Sequence, residues 1–390
     1  MLKLIRGGTV YAPAYLGKKD ILIADGRIAA VEDKIEPRKL APFMEVTEAD
    51  GKLVVPGLVD GHVHITGGGG EGGFSTRTPE LTLKDCIDAG VTTVVGVLGT
   101  DGTARTMTNL VSKAKGLTEE GVTCFCQSGS YHVPVRTLTG SLQNDIMFIE
   151  EIIGAGEIAI EDHRSSQPEW QEIARVASEA RAGGLLSGKG GVVTIHVGDG
   201  KGLLSKLETV VQETEIPITQ FWPTHINRHE ALLEAGIRFA REGGFVDFTT
   251  STLHSSEKPL LKSSSGMKYM LDAGVPPEQI TFTSDGQGSL PQFDENRQFT
   301  GLGVGKVDSL LQELQDAVLV EGLPLETVWK AASENPARLL QLRGKGTVEK
   351  EKDADLLLLH SETLHVESVM ARGKWLQHGD KRQKGTFEEE

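Results

Sequence analysis

The fold of this chain is decided by the stretch Gly57-Leu58-Val59-Asp60-Gly61-His62-Val63-His64, which follows an apolar run at residues 53–55 and precedes a glycine loop at residues 67–70. Alternate side chains of a strand point to the same face, so His62 and His64 are predicted to share one face. Two imidazoles on one face at a strand end can bind one metal ion, because histidine is a common ligand of zinc and similar metals. Such a pair alone is more often two surface histidines, so the prediction depends on further ligands.

Short apolar and β-branched runs alternate with helical stretches from residue 53 to about residue 285. Alternating strands and helices predict a parallel sheet, and eight such units predict a closed, TIM-like (β/α)8 barrel. An open doubly wound sheet is the alternative, which the lack of a GxGxxG turn after the first strand disfavours. After the opening run at 53–55, the predicted strands are residues 91–97, 122–127, 157–161, 192–197, 218–224, 245–250 and 280–284.

Both ends of the chain also contain strand-like runs. Near the N terminus, such runs are separated by turns, among them Asp25-Gly26, a pair typical of a β-hairpin. Near the C terminus, residues 354–359 and 366–370 have the same character. We therefore expect a small β-sandwich domain formed by residues 1–55 plus 345–390, beside a catalytic (β/α)8 barrel of residues 56–344.

Composition argues against several classes of partner. The net charge of −15 over 390 residues disfavours nucleic acid and anionic membranes, because both require a basic surface.

No apolar run approaches the roughly 20 residues that span a bilayer, and residues 1–8 lack the apolar region of a signal peptide. Cys86, Cys124 and Cys126 are too few for a disulfide framework and are expected to be buried thiols. These features predict a cytoplasmic protein.

Further candidate metal ligands lie where the predicted strands end. Chemistry in a barrel of this kind gathers at the C-terminal ends of the strands, and this rule selects His196, His225 and Asp285. Each of these residues alone could be a polar cap of its strand. Together with His62 and His64, they predict a metal site at one rim of the barrel.

A site for two metal ions needs one group that bridges them, usually an anionic oxygen ligand. Glu157 is the candidate, because it lies at the junction of a glycine turn and an apolar strand, where a charge is less expected. The alternative is a solvated carboxylate in a loop, since Glu151 and Glu161 are near in sequence.

With these residues the chain resembles the metal-dependent amidohydrolase superfamily and, within it, the isoaspartyl dipeptidases. The superfamily resemblance covers almost the whole chain and rests on the ligand pattern described above and on the terminal β-sandwich. The closer resemblance rests on longer strings. These are Gly67-Gly68-Gly69-Gly70-Glu71, Thr76-Arg77-Thr78-Pro79-Glu80, Gly99-Thr100-Asp101, Tyr131-His132-Val133-Pro134, Asp162-His163-Arg164-Ser165, Pro223-Thr224-His225 with Asn227-Arg228, and Ser284-Asp285-Gly286 with Gly288-Ser289.

The resemblance implies hydrolysis of the β-aspartyl amide bond of L-isoaspartyl dipeptides by a hydroxide that bridges two divalent metal ions. Zinc is the expected metal, although manganese, cobalt and iron bind similar ligands. In the bacterial family pattern the bridge on strand 4 is a carboxylated lysine, whereas this chain has Glu157, as other amidohydrolases do. The implied metal ligands are His62, His64, Glu157, His196, His225 and Asp285.

The resemblance also implies catalytic roles. Asp285 would take a proton from the attacking hydroxide and pass it to the leaving amine. Tyr131 would donate a hydrogen bond to the developing oxyanion. Glu71 would bind the substrate's α-amino group.

Substrate recognition is implied for a set of polar residues around the metal site. Arg164 and Arg228 would bind carboxylates through their planar guanidinium groups. The alternative is that Arg164 pairs with Asp162 and that Arg228 pairs with Glu230. The implied substrate contacts are Glu71, Thr100, Tyr131, Arg164, Arg228 and Ser289.

Two other functions remain open from the residues. A hydantoinase, dihydroorotase or N-acyl amino acid deacylase would use the same metal ligands, but would not jointly require Glu71, Tyr131, Arg164 and Arg228. A catalytically inactive scaffold of the same fold is the third possibility, against which the intact ligand set argues. The resemblance further implies a homo-oligomer, with an octamer as one of its forms.

Overall fold

A computed structural model describes residues 2–36, 43–251, 261–293 and 299–388. Five strands precede the barrel. Strands β2 and β3 are antiparallel and are joined by Asp25 and Gly26, whose φ angles of 50° and 77° confirm the predicted hairpin turn. The five strands are β1 (Leu2–Tyr11), β2 (Tyr15–Ala24), β3 (Arg27–Glu32), β4 (Met44–Glu48) and β5 (Lys52–Pro56).

Eight parallel strands form the predicted TIM-like (β/α)8 barrel. They are β6 (Leu58–Val63), β7 (Val91–Gly96), β8 (Thr123–Ser128), β9 (Ile152–Ile160), β10 (Val192–Val197), β11 (Phe221–Thr224), β12 (Val246–Thr249) and β13 (Ile280–Thr283). Strands β6 to β11 are hydrogen-bonded in chain order, and β12 pairs with β13. A bridge between Val63 and Gly286 connects the segment after β13 to the end of β6, so the last strand returns to the first.

Three strands differ from the prediction. Residues 218–220 form a 3-10 helix, so β11 begins at Phe221 rather than at residue 218. The run at residues 53–55 belongs to β5 of the terminal sheet, and the first barrel strand begins only at Leu58, after Pro56 and Gly57. Proline has no N–H to donate to a strand ladder, so a break at Pro56 is expected. Strand β9 begins at Ile152 rather than at residue 157, which places Glu157 inside the strand.

The helices cover the outside of the barrel. In the helix at Met107–Glu120, the buried face includes Leu110, Ala114 and Leu117. The side chain of Thr106 accepts the hydrogen bond that caps the N terminus, and Gly121 ends the helix at a φ of 132°. None of the helices in the described ranges is long and apolar enough to cross a membrane. The helices are α1 (Leu83–Asp88), α2 (Met107–Glu120), α3 (Leu142–Phe148), α4 (Trp170–Ser187), α5 (Ser205–Glu213), α6 (Glu230–Arg241), α7 (Ser263–Asp272), α8 (Asp308–Leu319), α9 (Leu325–Lys330) and α10 (Glu334–Leu339).

After the barrel, the chain forms a hairpin and then completes the terminal sheet. The hairpin is β14 (Ser289–Phe293) with β15 (Phe299–Val304), and the last strands are β16 (Leu356–His360), β17 (Val366–Ala371), β18 (Lys374–His378) and β19 (Lys381–Arg382). The terminal sheet has the order β19-β18-β17-β16-β5-β1-β2-β3, with β4 on β1. Both ends therefore form one small β domain, while the exact domain boundaries stay a prediction.

Strand β16 connects the two hydrophobic cores. Leu356 and Leu358 pack in the core of the β domain, whereas Leu357 and Leu359 pack in the core of the barrel. Alternate residues of a strand point to opposite faces, so one strand contributes to both cores. The three cysteines are buried free thiols, as predicted.

Candidate metal centre and adjoining pocket

All six predicted metal ligands meet at the C-terminal rim of the barrel. Strands β6, β9 and β10 carry three of them, the residues directly after β6 and β11 supply two, and the second residue after β13 supplies the last. The backbones of His225 and Asp285 adopt φ angles of 64° and 53°, which turn the chain sharply at the strand ends. The six residues are His62, His64, Glu157, His196, His225 and Asp285.

Glu157 lies between the histidines. Its Oε1 is 3.5 Å from Nε2 of His64, and its Oε2 is 3.2 Å from both Nε2 of His62 and Nδ1 of His196. Nε2 of His225 lies 3.8 Å from the same Oε2. The two oxygens of one carboxylate thus face different imidazoles, which is the arrangement that a bridging ligand needs.

Two sets of donor atoms are close enough to hold a metal ion. Ligand atoms of His62, His64 and Asp285 all lie within 4.8 Å of one another, and so do those of His62, Glu157 and His225. The first set is the one expected from the sequence. The second set contains His62 instead of the expected His196, although Nδ1 of His196 is only 2.9 Å from Nε2 of His225.

Several buried atoms of this centre that could bind a metal ion have no hydrogen-bond partner among the described residues. They include Nε2 of His62, Oε1 of Glu157 and Oδ1 of Asp285. Buried polar atoms are normally paired, and imidazole nitrogens and carboxylate oxygens are the usual ligands of zinc and similar ions. The residues present therefore fit a divalent metal centre.

The electrostatics of the centre favour positive charge. Burial lowers the pKa of His62, but the negative charges of Glu157 and Asp285 outweigh it and raise that pKa to about 9. Burial raises the pKa of Asp285, whereas the neighbouring His64 and the other histidines lower it to about 2. Ionised carboxylates beside an imidazole that attracts a proton also attract a metal cation.

A β-bulge aims Glu157 at the centre. In the pairing of β9 with β10, Gly156 and Glu157 together lie opposite the single residue Thr194. Gly156 has a φ of 144°, and a Cβ at this position would lie 2.7 Å from Oε1 of Gln127 and 2.9 Å from the carbonyl oxygen of Thr194. Only glycine fits there, so Gly156 is required for the position of Glu157.

A cavity of about 970 Å³ adjoins the metal centre. Its wall is formed by loops that follow the barrel strands, which is where a (β/α)8 barrel places its binding site. Every residue that the resemblance implied for substrate contact lines it. These residues are Glu71, Thr100, Tyr131, Arg164, Arg228 and Ser289.

Four of these residues form one polar cluster around Glu71. Thr100 donates from Oγ1 to Oε1 of Glu71 over 3.0 Å, and Ser289 donates from Oγ to Oε2 over 3.3 Å. Arg164 donates from Nη1 to Oε1 over 3.1 Å. Burial raises the pKa of Glu71, but these donors outweigh it and lower that pKa below its usual range, so the carboxylate stays ionised.

The two pocket arginines have different partners. Arg164 donates from Nε and Nη2 to the two oxygens of Asp162, over 2.9 Å and 2.7 Å, so the ion pair considered as its alternative is present. Arg228 donates from Nε to the carbonyl oxygen of Val197 over 3.0 Å and lies 3.9 Å from Asp199. Both guanidinium groups are thus held in place by protein acceptors while they line the pocket.

Tyr131 connects the pocket to the metal centre. Its hydroxyl oxygen is 2.9 Å from Nδ1 of His196, and the Arg164 guanidinium carbon is 5.2 Å from the centre of its ring. Burial raises the pKa of Tyr131 well above its usual value, so the hydroxyl keeps its proton. It can therefore serve as a hydrogen-bond donor at the centre.

Two residues contact the centre that were not predicted from the sequence to be part of it. Asp162, two residues after β9, accepts a hydrogen bond from Nε2 of His196 over 3.0 Å. Oγ1 of Thr249, at the end of β12, is 2.5 Å from Nδ1 of His225. The rule that selected Asp285, a polar residue directly after a predicted strand, also fits Asp162, whereas Thr249 lies inside the strand predicted at residues 245–250.

The chain is similar to known proteins of one family. The amidohydrolase family profile matches residues 53–376. A solved β-aspartyl dipeptidase of Fervidobacterium islandicum AW-1, in complex with β-Asp-Leu dipeptide, is 44% identical with a TM-score of 0.92, and 100% of both chains is covered. A second structure of the enzyme from this organism is 41% identical with a TM-score of 0.91, again over 100% of both chains.

Curated relatives match over a shorter part. A dihydroorotase of Pelotomaculum thermopropionicum is 32% identical over 165 residues, which are 42% of this chain and 35% of that protein. The match therefore spans little more than a third of the length of this relative.

Proposed function

The chain belongs to the amidohydrolase family, and on this premise we propose that it is a metal-dependent dipeptidase that hydrolyses the β-aspartyl amide bond of isoaspartyl dipeptides. One observation carries the proposal: a single pocket joins a His/Asp/Glu centre to a carboxylate and two guanidinium groups. The similarity to a β-aspartyl dipeptidase over the full length of both chains supports it.

The charges of the pocket match those of an isoaspartyl dipeptide. In this substrate the α-amino group and one carboxylate are attached to the same carbon, and Glu71 and Arg164 lie side by side with 3.1 Å between Oε1 and Nη1. We assign Glu71 to the amino group and Arg164 to that carboxylate, because a planar guanidinium binds carboxylates in bidentate fashion. Arg228 is then available for the carboxylate of the second residue.

The metal centre would supply the reactive chemistry. Bound divalent ions would polarise the scissile carbonyl and make a hydroxide nucleophile available near neutral pH. We infer two ions and expect zinc, since the donors are imidazoles and carboxylates. The residues that would hold them are His62, His64 and Asp285 for one ion, His196 and His225 for the other, and Glu157 for both.

The side chains of the protein carry out the proton movements. Tyr131 keeps its hydroxyl proton and donates a hydrogen bond to the carbonyl oxygen as negative charge develops on it. Asp285 is ionised and accepts the proton of the nucleophile, which it then delivers to the leaving nitrogen. The amide C–N bond breaks, and the products are aspartate and a free amino acid.

A homo-oligomeric assembly and a cytoplasmic location remain predictions.

The experiment that tests the proposal compares four substrates with the zinc-loaded protein: β-Asp-Leu, α-Asp-Leu, dihydroorotate and an N-acetyl amino acid. We expect kcat/KM for β-Asp-Leu to exceed that for each of the others by about 100-fold or more, because none of the others has a free amino group and a carboxylate on the same carbon for Glu71 and Arg164. Preference for dihydroorotate would favour the activity named for the curated relative. Less than one equivalent of bound metal together with no turnover would favour an inactive scaffold.

A further inference from the structure

We propose that Asp162 is a positioning residue that couples the metal centre to the substrate-binding Arg164. Asp162 is buried, with 7% of its surface exposed, and lies two residues beyond the end of β9. Its carboxylate contacts His196 on one side and Arg164 on the other. The substrate half of this inference rests on the proposed function, whereas the metal half does not.

The contact with His196 determines which of its nitrogens can bind a metal ion. Oδ2 of Asp162 is 3.0 Å from Nε2 of His196. With a metal ion on Nδ1, the ring's proton would be on Nε2, which can donate it to Asp162. Nδ1 points into the centre, 3.2 Å from Oε2 of Glu157. Asp162 thereby holds His196 in the tautomer and orientation that a metal ion requires.

The contact with Arg164 aims its guanidinium at the pocket. Asp162 accepts from Nε and Nη2 over 2.9 Å and 2.7 Å, and Oδ1 also accepts from the backbone N–H of Arg164 over 2.8 Å. The edge of the guanidinium that carries Nη1 is left to face Glu71, 3.1 Å away. The same carboxylate therefore sets the position of a metal ligand and of a carboxylate-binding group.

Both carboxylate oxygens of Asp162 have to accept hydrogen bonds. Arg164 and Nε2 of His196 are both donors, and an arginine guanidinium has no acceptor. Asparagine at position 162 would keep one acceptor oxygen and replace the other with an NH2 donor. With that oxygen in place of Oδ2 it would still accept from both Nε2 of His196 and Nη2 of Arg164, so the informative substitution is Asp162→Ala, which removes both acceptor oxygens.

The test measures two properties of the full-length Asp162→Ala protein. Zinc affinity is measured by competition with a chelator, and KM and kcat are measured with β-Asp-Leu. We expect zinc affinity to fall by about 10- to 100-fold, as for other residues that orient a metal-binding histidine, and KM to rise by about tenfold. An Arg164→Gln protein should reproduce the rise in KM with unchanged zinc affinity. Asp272→Ala, a substitution of a side chain that is 71% exposed on α7, is the matched control.

The results separate this inference from a merely structural role and from the proposed function. Wild-type zinc affinity in Asp162→Ala would overturn the link to His196, and wild-type KM would overturn the link to Arg164. The tautomer of His196, determined by NMR of the ¹⁵N-histidine-labelled, zinc-loaded wild-type protein, needs no variant to fold, and zinc on Nε2 with the proton on Nδ1 would overturn the inference. If the wild-type protein failed to hydrolyse β-Asp-Leu, the proposed function would fail, while zinc affinity and tautomer would still decide the role of Asp162 at the metal centre.

Discussion

Glu71 and Arg164 form an ion pair across the pocket, with 3.1 Å between Oε1 and Nη1. The two groups assigned to opposite charges of the substrate therefore bind each other when no substrate is present. An amino group and a carboxylate on one carbon can replace this contact with two contacts of matching charge. The pocket is thus organised before binding, which reduces the entropy cost of association.

Glu71→Gln should raise KM for β-Asp-Leu by about tenfold or more with a smaller change in kcat, because a neutral amide loses the charge that binds an ammonium group. Steady-state kinetics measures both constants. Glu80→Gln is the matched control, since the Glu80 side chain is 53% exposed and pairs with Lys113 on the surface. An unchanged KM in Glu71→Gln would remove Glu71 from recognition of the amino group.

Tyr131→Phe should lower kcat by about 10²- to 10³-fold while KM changes little, because the lost hydroxyl would act mainly as charge develops in the transition state. The control is Tyr269→Phe, which removes a hydroxyl that is bonded to Glu234 at the surface over 2.6 Å. If both variants had the same kcat, the hydroxyl of Tyr131 would have no part in the chemistry.

Glu157→Gln should reduce bound zinc from two equivalents to one or fewer, because a neutral amide with one carbonyl oxygen cannot replace a carboxylate between two cations. Metal analysis after dialysis, combined with activity, measures the effect. Glu179→Gln, an exposed position on α4, should retain both ions. A Glu157 variant with full metal content and full activity would show that this residue is not a ligand.

Gly156→Ala should destabilise the protein by about 1–3 kcal/mol, since the added Cβ meets Gln127 and Thr194 at a φ of 144°. It should also weaken zinc binding, because Glu157 follows directly. Gly116→Ala in α2 is a control of opposite sign: nothing lies within 4 Å of its Cβ position, and alanine in a helix should stabilise by about 0.5–1 kcal/mol. Denaturant unfolding of both variants measures these differences, and equal effects would contradict the requirement for glycine in the bulge.

Asp247→Asn should change how stability depends on pH. Burial raises the pKa of Asp247 to about 7, although Thr224, Thr281 and Thr283 donate hydrogen bonds to it. Between the unfolded pKa of about 3.9 and pH 7 the native state binds the proton and the unfolded state does not, so this contribution to stability is lost as pH rises.

The free energy of unfolding of the wild type, relative to Asp247→Asn, should therefore fall by about 1.4 kcal/mol per pH unit between pH 5 and 6.5 and level off above pH 7. Denaturant unfolding at a series of pH values measures this difference. A difference that stays constant from pH 5 to 8 would mean that Asp247 is charged in the native protein.

The barrel and most of the site could be predicted from the sequence, because the repeat of strand and helix is local and the rim rule then places the residues after each strand together. The prediction failed where local pattern was ambiguous. Residues 53–55 have the apolar character of a barrel strand, but pattern does not determine which sheet a strand joins. The extended conformation of residues 152–156 was missed because two glycines interrupt its β-branched pattern.

The types of candidate metal ligand, their order along the barrel and the shared face of His62 and His64 can be predicted from the residues alone, since they follow from strand period and strand ends. The folded chain is needed to see that Glu157 contacts several histidines at once and that Asp162 joins His196 to Arg164. The physical reason is that these contacts depend on closure of the barrel and on the register shift at Gly156, which bring distant segments to within hydrogen-bond distance. No local pattern of residues specifies such distances.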